Sequence, residues 1–109
     1  MADGKTLQQL KIKTNVLKRL IKESEFYKKD AEKEKAKIKE LEATDPNAYE
    51  LKKMDEAYRE TLQMVPVVER KIRTARDELV SYIKENADSV NGSGELELAN
   101  EQIQAAAGF

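Results

Sequence analysis

Residues 51–82 read LKKMDEAYRETLQMVPVVERKIRTARDELVSY. Apolar side chains recur in this stretch at alternating intervals of three and four residues, whereas a strand would alternate every second residue. The positions are Leu51, Met54, Tyr58, Thr61, Val65, Val68, Ile72, Ala75, Leu79 and Tyr82. A mean spacing of about 3.5 residues keeps an apolar stripe facing a partner helix along its whole length. The stretch therefore predicts a long helix that packs as in a coiled coil.

Pro66 lies inside this helical pattern. Proline lacks an N–H, and its ring crowds the carbonyl four residues earlier, here that of Leu62, so it kinks or breaks a helix. The stripe nevertheless keeps its register across the proline, with Val65 before it and Val68 after it. One long helix at about residues 46–88, kinked near 66, is favoured over two helices joined by a turn.

A second long helix is predicted at about residues 6–43, because Thr6 followed by Gln9 fits a capping box and no Gly or Pro interrupts residues 5–45. Its stripe holds seven apolar or aromatic residues in ten positions. These positions are Leu10, Lys13, Leu17, Leu20, Ser24, Tyr27, Ala31, Glu34, Ile38 and Leu41. We expect the stems of Lys13 and Glu34 to lie along the stripe while their charges reach water.

Two breaks divide the chain. Asp45 and Pro46 are expected to cap and open the second helix, and a short turn there makes the two long helices antiparallel neighbours. Residues 91–94, Asn-Gly-Ser-Gly, form the other break, and the apolar spacing after it predicts a short third helix at about residues 94–107. The predicted fold is all-α, an antiparallel three-helix bundle in a single domain of residues 1–109.

The composition excludes several kinds of site. The chain has neither Cys nor His, so it offers no thiolate or imidazole for metal binding or nucleophilic catalysis. Its carboxylates lie among lysines in a chain that is 38% charged, which is typical of solvated helix faces. Neither an enzyme nor a cofactor is therefore expected. The absence of a long apolar run and of a signal peptide favours a soluble intracellular protein without a membrane partner.

Basic residues are concentrated on part of the predicted bundle. Residues 5–22 carry six bases and no acid, and antiparallel pairing places them level with residues 67–78. We call the resulting surface the basic belt. Its members are Lys11, Lys18, Arg19, Lys22, Arg70, Lys71, Arg73 and Arg76. Most lysine-rich faces are merely solvated, but a belt of this kind favours an acidic partner through steering and charged hydrogen bonds.

Two further surfaces follow from the same pairing. An acidic end is predicted opposite the belt, at Glu85, Asp88, Glu95, Glu97 and Glu101. The third helix is too short to cover four apolar residues around the proline, and we call these the apolar waist. They are Ile21, Leu62, Met64 and Val67.

Several segments resemble the tubulin-binding cofactor A family, in that family's order and spacing. They are LKIKTNVLKRL at residues 10–20, YKK at 27–29, AYELKK at 48–53 and the MVP break at 64–66. The resemblance implies a small cytoplasmic, cytoskeleton-associated helical bundle that captures β-tubulin folding intermediates after the cytosolic chaperonin, without nucleotide or catalysis. The chain after Val90 departs from the family's pattern.

On this resemblance we expect a partner-binding surface that holds acidic, partly folded β-tubulin by charge and by apolar contact. The charge would come from Lys11, Lys18, Arg19, Lys22, Arg70 and Arg73. The apolar contact would come from Met64 and Val67, for which packing under the third helix is the alternative.

Two rival functions remain open at this point. One is a structural coiled-coil module whose waist closes a homodimer, so the chain is expected as either a monomer or a homodimer. The other is nucleic-acid binding, which is disfavoured because no aromatic lies among the bases and the net charge is -1.

Overall fold

The computed structural model describes residues 3–109. It contains four helices in this range, α1 (Gly4–Thr44), α2 (Glu50–Glu85), α3 (Ala87–Val90) and α4 (Gly94–Ala105). No strand occurs within the described range. The all-α prediction is therefore confirmed.

The chain forms two compact units. Unit 1 comprises the chain up to Lys22 together with Glu69–Phe109, and unit 2 comprises Glu23–Val68. Each unit therefore contains one half of α1 and one half of α2, while α3 and α4 belong to unit 1. The sequence analysis did not anticipate this division.

The apolar stripe of α2 lies on the inward side of the helix. Each of its ten positions is buried or half-buried. Ile72 and Leu79 in unit 1 are fully buried, and Val68 in unit 2 is almost so. Burying a side chain of this size stabilises the fold by about 1.5–3 kcal/mol, so the stripe supplies the interior of both units.

The weaker stripe of α1 also lies inward. Its ten positions are all buried or half-buried, and Leu10 and Leu17 are fully buried in unit 1. In unit 2 the hydroxyl of Thr61 on α2 donates to Glu34 Oε1 on α1 at 2.7 Å. This hydrogen bond joins α1 to α2. It shows that polar residues of the two stripes also contribute to the packing of these helices.

Pro66 does not interrupt α2, which continues through it as one helix. Pro66 is exposed, whereas Val65 and Val68 stay half-buried and buried on the inward side. Because the proline ring lies away from the packed face, the loss of one backbone donor does not disturb that packing. The chain therefore forms one helix here rather than two helices joined by a turn.

Asp3, and not Thr6, caps α1. Asp3 Oδ1 accepts a hydrogen bond from the backbone N–H of Lys5 at 3.1 Å, and Asp3 Oδ2 accepts one from the hydroxyl of Thr6 at 3.0 Å. The predicted capping box of Thr6 and Gln9 is therefore wrong. A carboxylate is a strong acceptor and also interacts favourably with the positive end of the helix dipole, so Asp3 starts the helix earlier.

The predicted cap at Asp45 is also wrong, because α2 begins only at Glu50. The N–H of Ala48 instead donates to the carbonyl of Asp45 at 3.1 Å, which closes a turn with Pro46 at its second position. The fixed φ of proline suits that position of a turn. Residues 46–49, which the sequence analysis assigned to the second helix, belong to the connection.

α2 ends at Glu85 and is followed by the four-residue helix α3, where the sequence analysis expected one helix to continue to about residue 88. Asn86 donates twice to the carbonyl of Tyr82 near the end of α2, from its backbone N–H at 3.1 Å and from its side-chain amide at 2.9 Å. Val90 at the end of α3 is fully buried in unit 1. The side chain of Val90 therefore fixes α3 to the interior of the unit.

The start of α4 agrees closely with the break seen in the sequence. Gly92 has a φ of +80°, a left-handed conformation that favours glycine. Ser93 Oγ accepts from the N–H of Leu96 at 3.1 Å and caps the helix. Ala99 and Ala106 are fully buried in unit 1, so small side chains bring α4 close to its neighbours.

Replacing Ser24 with alanine is expected to stabilise the protein. Ser24 is fully buried in unit 2, and its hydroxyl has no hydrogen-bond partner among residues 3–109. The substitution removes a hydroxyl group that loses its hydrogen bonds to water on folding. Alanine also has a higher helix propensity than serine. We expect the free energy of unfolding, measured by urea denaturation, to rise by about 1–2 kcal/mol.

Ser81→Ala is the matched control, because Ser81 is exposed on α2. This substitution should raise the free energy of unfolding only through helix propensity, by less than about 0.5 kcal/mol. Equal effects of the two substitutions would contradict the role assigned to the buried hydroxyl.

Candidate functional site

The eight predicted partner-binding residues divide between the two units. Lys11, Lys18, Arg19, Lys22, Arg70 and Arg73 belong to unit 1, and Met64 and Val67 belong to unit 2. Within the described chain no cluster of acidic side chains is arranged to hold a metal ion. Over the same residues no helix has both the length and the apolarity needed to cross a bilayer.

Lys11 and Lys18 lie beside α4. Both line a cavity of about 110 Å³ in unit 1, together with Glu95, Leu98 and Glu101 of α4. Two cations of the basic belt therefore share a cavity with two carboxylates. Glu95 and Glu101 do not form a separate acidic end, as the sequence analysis expected, because α4 packs alongside this part of α1.

Arg73 and Arg76 are hydrogen-bonded to the chain at and beyond the end of α4. The guanidinium of Arg73 donates to the carbonyl oxygen of Phe109 at 3.1 Å, and that of Arg76 donates to the carbonyl oxygen of Ala106 at 3.1 Å. The carbonyl of Ala106, the residue that follows α4, also accepts from the N–H of Phe109 at 3.1 Å. The two arginines therefore hold this end of unit 1 in place.

Arg19, Lys22 and Arg70 complete the predicted charged set. All three side chains are exposed in unit 1. They present positive charge directly to solvent. Of the predicted charged set, these three and the two cavity lysines are exposed, whereas Arg73 is half-buried.

The apolar waist does not form one patch. Ile21 is only 9% exposed and belongs to the interior, so its predicted exposure is wrong. Leu62 is 42% exposed, whereas Met64 and Val67 are half-buried. Leu62 and Met64 are two residues apart, which is about 200° around a helix, so they lie on opposite flanks of α2.

A groove in unit 2 was missed by the sequence analysis. It measures about 440 Å³, and α2 lines it with Tyr58, Leu62, Val65 and Pro66. Leu62 and Pro66 are exposed there. Their spacing of four residues in the sequence indicates that they share one face of α2. The sequence does not indicate which helix lies opposite that face, so it did not predict the groove.

Lys13 and Phe26 show two further features of the surface. Lys13 Nζ lies 5.3 Å from the ring centroid of Tyr82 in unit 1, which places a cation–π contact on the stripe. Phe26 is 64% exposed on α1, with its ring edge-on to that of Tyr27 at 5.7 Å. The sequence analysis overlooked Phe26 because it lies outside the apolar stripe.

Comparison with known proteins identifies one family by a sequence profile and by individual relatives. The sequence profile of the family described as Tubulin binding cofactor A matches residues 5–103. The chain is 36% identical over 88 residues to Tubulin-specific chaperone A of Bos taurus, which covers 81% of each chain. It is 40% identical over 79 residues to Tubulin-specific chaperone A of Saccharomyces cerevisiae, which covers 70% of this chain and 73% of the relative.

A solved structure shares the fold. The crystal structure of tubulin folding cofactor A from Arabidopsis thaliana superposes with a TM-score of 0.87 at 27% sequence identity. The match covers 98% of this chain and 100% of that chain. The similarity therefore includes the part of the chain after Val90, where the sequence analysis saw a departure from the family's pattern.

Removing the guanidinium of Arg76 is expected to loosen the end of α4. Arg76→Gln keeps part of the side-chain stem but loses the charged donor to the carbonyl of Ala106. We expect the free energy of opening of the last turn of α4 to fall by about 1–3 kcal/mol, measured by amide hydrogen exchange. Arg70→Gln, at an exposed position of α2, should leave that exchange unchanged. Equal exchange in the two variants would mean that the hydrogen bond does not hold α4.

Proposed function

Because the chain belongs to the tubulin binding cofactor A family, we propose that it is a tubulin-folding cofactor that captures β-tubulin folding intermediates after the cytosolic chaperonin releases them. The observation that carries this proposal is the family match over residues 5–103, which spans nearly all of the chain. The relatives are named as tubulin-specific chaperones, and the family is non-catalytic. We place the protein in the cytoplasm, in association with the cytoskeleton.

Charge attraction is the first part of the proposed mechanism. We assign it to Lys11, Lys18, Arg19, Lys22, Arg70 and Arg73 of unit 1. The exposed side chains of Arg19, Lys22 and Arg70 support this assignment, since tubulin is acidic and a positive surface accelerates the encounter with such a client. Lys11, Lys18 and Arg73 lie next to α4 or its end and would act on the client from there.

Apolar contact is the second part of the proposed mechanism. A folding intermediate exposes apolar surface that the finished subunit buries. Met64 and Val67 on α2 are half-buried, so each presents part of its side chain to such a client. Charge would then raise the association rate and select an acidic client, while apolar burial would slow dissociation of the complex. The protein performs no reaction in this mechanism.

Reversing three cations of the charged set should weaken the capture of β-tubulin. In the variant with Lys18→Glu, Arg19→Glu and Lys22→Glu, attraction becomes repulsion along this stretch of α1. We expect the association rate constant, measured with β-tubulin released from chaperonin, to fall by about tenfold or more at low salt. The difference from the unmodified protein should shrink as added salt screens the charges.

The matched control reverses Lys39, Lys52 and Lys53, which are exposed in unit 2. This variant has the same net charge as the test variant and should capture β-tubulin like the unmodified protein. Unchanged capture and salt dependence in the test variant would refute the charge assignment. If the unmodified protein retains no β-tubulin and sediments as a homodimer, the proposed function is wrong and a structural coiled-coil module is the better description.

A further inference from the structure

The groove of unit 2 is bounded by both long helices. α1 contributes Lys28, Ala31, Glu32 and Lys35, which are spaced at i, i+3, i+4 and i+7 and so line one face of the helix. These positions span seven residues, which corresponds to about 10 Å along the axis. The α1 wall of the groove is therefore about two helical turns long.

The opposite wall of this groove is apolar. α2 supplies Tyr58, Leu62, Val65 and Pro66, and Leu62 is 42% exposed. Leu62 is exposed beside Pro66, and across the groove α1 presents Lys28 and Lys35 on either side of Glu32. The groove therefore offers apolar burial together with a net positive charge. This combination suits a partner that is apolar on one face and acidic at its edges.

Unit 1 contains a cavity whose α1 residues have the same spacing, with Asn15 at the position where the groove has Glu32. Lys11, Thr14, Asn15 and Lys18 line it, again at i, i+3, i+4 and i+7 and again with a lysine at each end. Here the partner is present in the chain itself, because α4 lies against these residues. In unit 1, therefore, a face of α1 with a lysine at each end already packs against another helix.

The chemistry of α4 shows what such a face accepts. The sequence of α4 is GELELANEQIQA, with three glutamates and no lysine or arginine. Glu95, Leu98 and Glu101 line the cavity in unit 1, and Ala99 is fully buried. An acidic helix with apolar and small residues on its inner side is therefore compatible with the spacing of lysines on α1.

We propose that the groove of unit 2 binds an acidic amphipathic helix of the client, in the way that unit 1 binds α4. This inference rests on the proposed function, since the client is the β-tubulin intermediate, and it adds the chemical class of the segment that is captured. Lys35 attracts the acidic edge of the segment, and Leu62 and Val65 bury its apolar side. The segment presents acidic residues on either side of an apolar stripe about two turns long.

The first test compares two double variants with the same change in charge. Lys35→Glu with Leu62→Glu places negative charge on both walls of the groove. Lys39→Glu with Tyr49→Glu alters two exposed positions of unit 2 that do not line the groove. We expect the groove variant to bind chaperonin-released β-tubulin about tenfold or more weakly, and the control variant to bind it normally. Circular dichroism and urea denaturation establish that both variants are folded.

A milder variant separates charge from packing. Lys35→Met keeps a long apolar stem but removes the positive charge. Its binding should be reduced less than that of the double variant, and it should depend less on salt than binding by the unmodified protein. Equal binding by the unmodified protein and both groove variants would overturn the proposal, as would equal losses in the groove and control variants.

The second test identifies the bound segment. A photo-reactive benzoylphenylalanine at position 62 is cross-linked to β-tubulin in the captured complex, and the product is sequenced by mass spectrometry. The expected product is a segment with apolar residues at intervals of three and four flanked by acidic residues. Cross-linking to a segment without acidic residues, or to a second copy of this chain, would overturn the proposal. Failure of the unmodified protein to capture β-tubulin at all would instead defeat the proposed function on which it rests.

Discussion

The structure depends on burial of one apolar stripe along α2, repeated at intervals of three and four residues. Each stripe position is buried or half-buried, and the stripe meets a matching face of α1 in each unit. Because the spacing holds across Pro66, α2 contributes to both units without a change of face. Because the stripes of both helices face inward, the charged residues between the stripe positions lie on the outer sides of α1 and α2.

Polar residues on the stripe are accommodated in different ways. The Lys13 side chain makes a cation–π contact with the ring of Tyr82, while Glu34 accepts a hydrogen bond from Thr61. The second carboxylate oxygen of Glu34 is buried without a partner among the residues that the structure describes. The expectation that both charges would reach water therefore fails for this oxygen of Glu34. The oxygen without a partner lowers stability, whereas the hydrogen bond from Thr61 to the other oxygen favours one register of the two helices.

α4 changes the meaning of the basic belt. The sequence alone suggests a surface of free cations, but the structure places Lys11 and Lys18 beside carboxylates of α4, and Arg73 and Arg76 on carbonyl groups at its end. The same chemistry that would attract an acidic client is thus used within unit 1 to dock an acidic helix. The groove of unit 2 shares with the unit 1 cavity the spacing of two lysines on α1, but its other wall is the apolar side of α2 instead of an acidic helix.

The sequence by itself determined the all-α class, the long helices, the position of the stripes and the break at residues 91–94, because these depend on local periodicity and turn chemistry. It also carried the family resemblance that the comparisons support. Local rules were less successful at helix ends, where Asp3 displaced Thr6 as the cap and Pro46 entered a turn instead of α2. Only the tertiary structure decided which charges remain exposed and where grooves form. These properties depend on which helix lies opposite a residue, and a one-dimensional pattern does not contain that information.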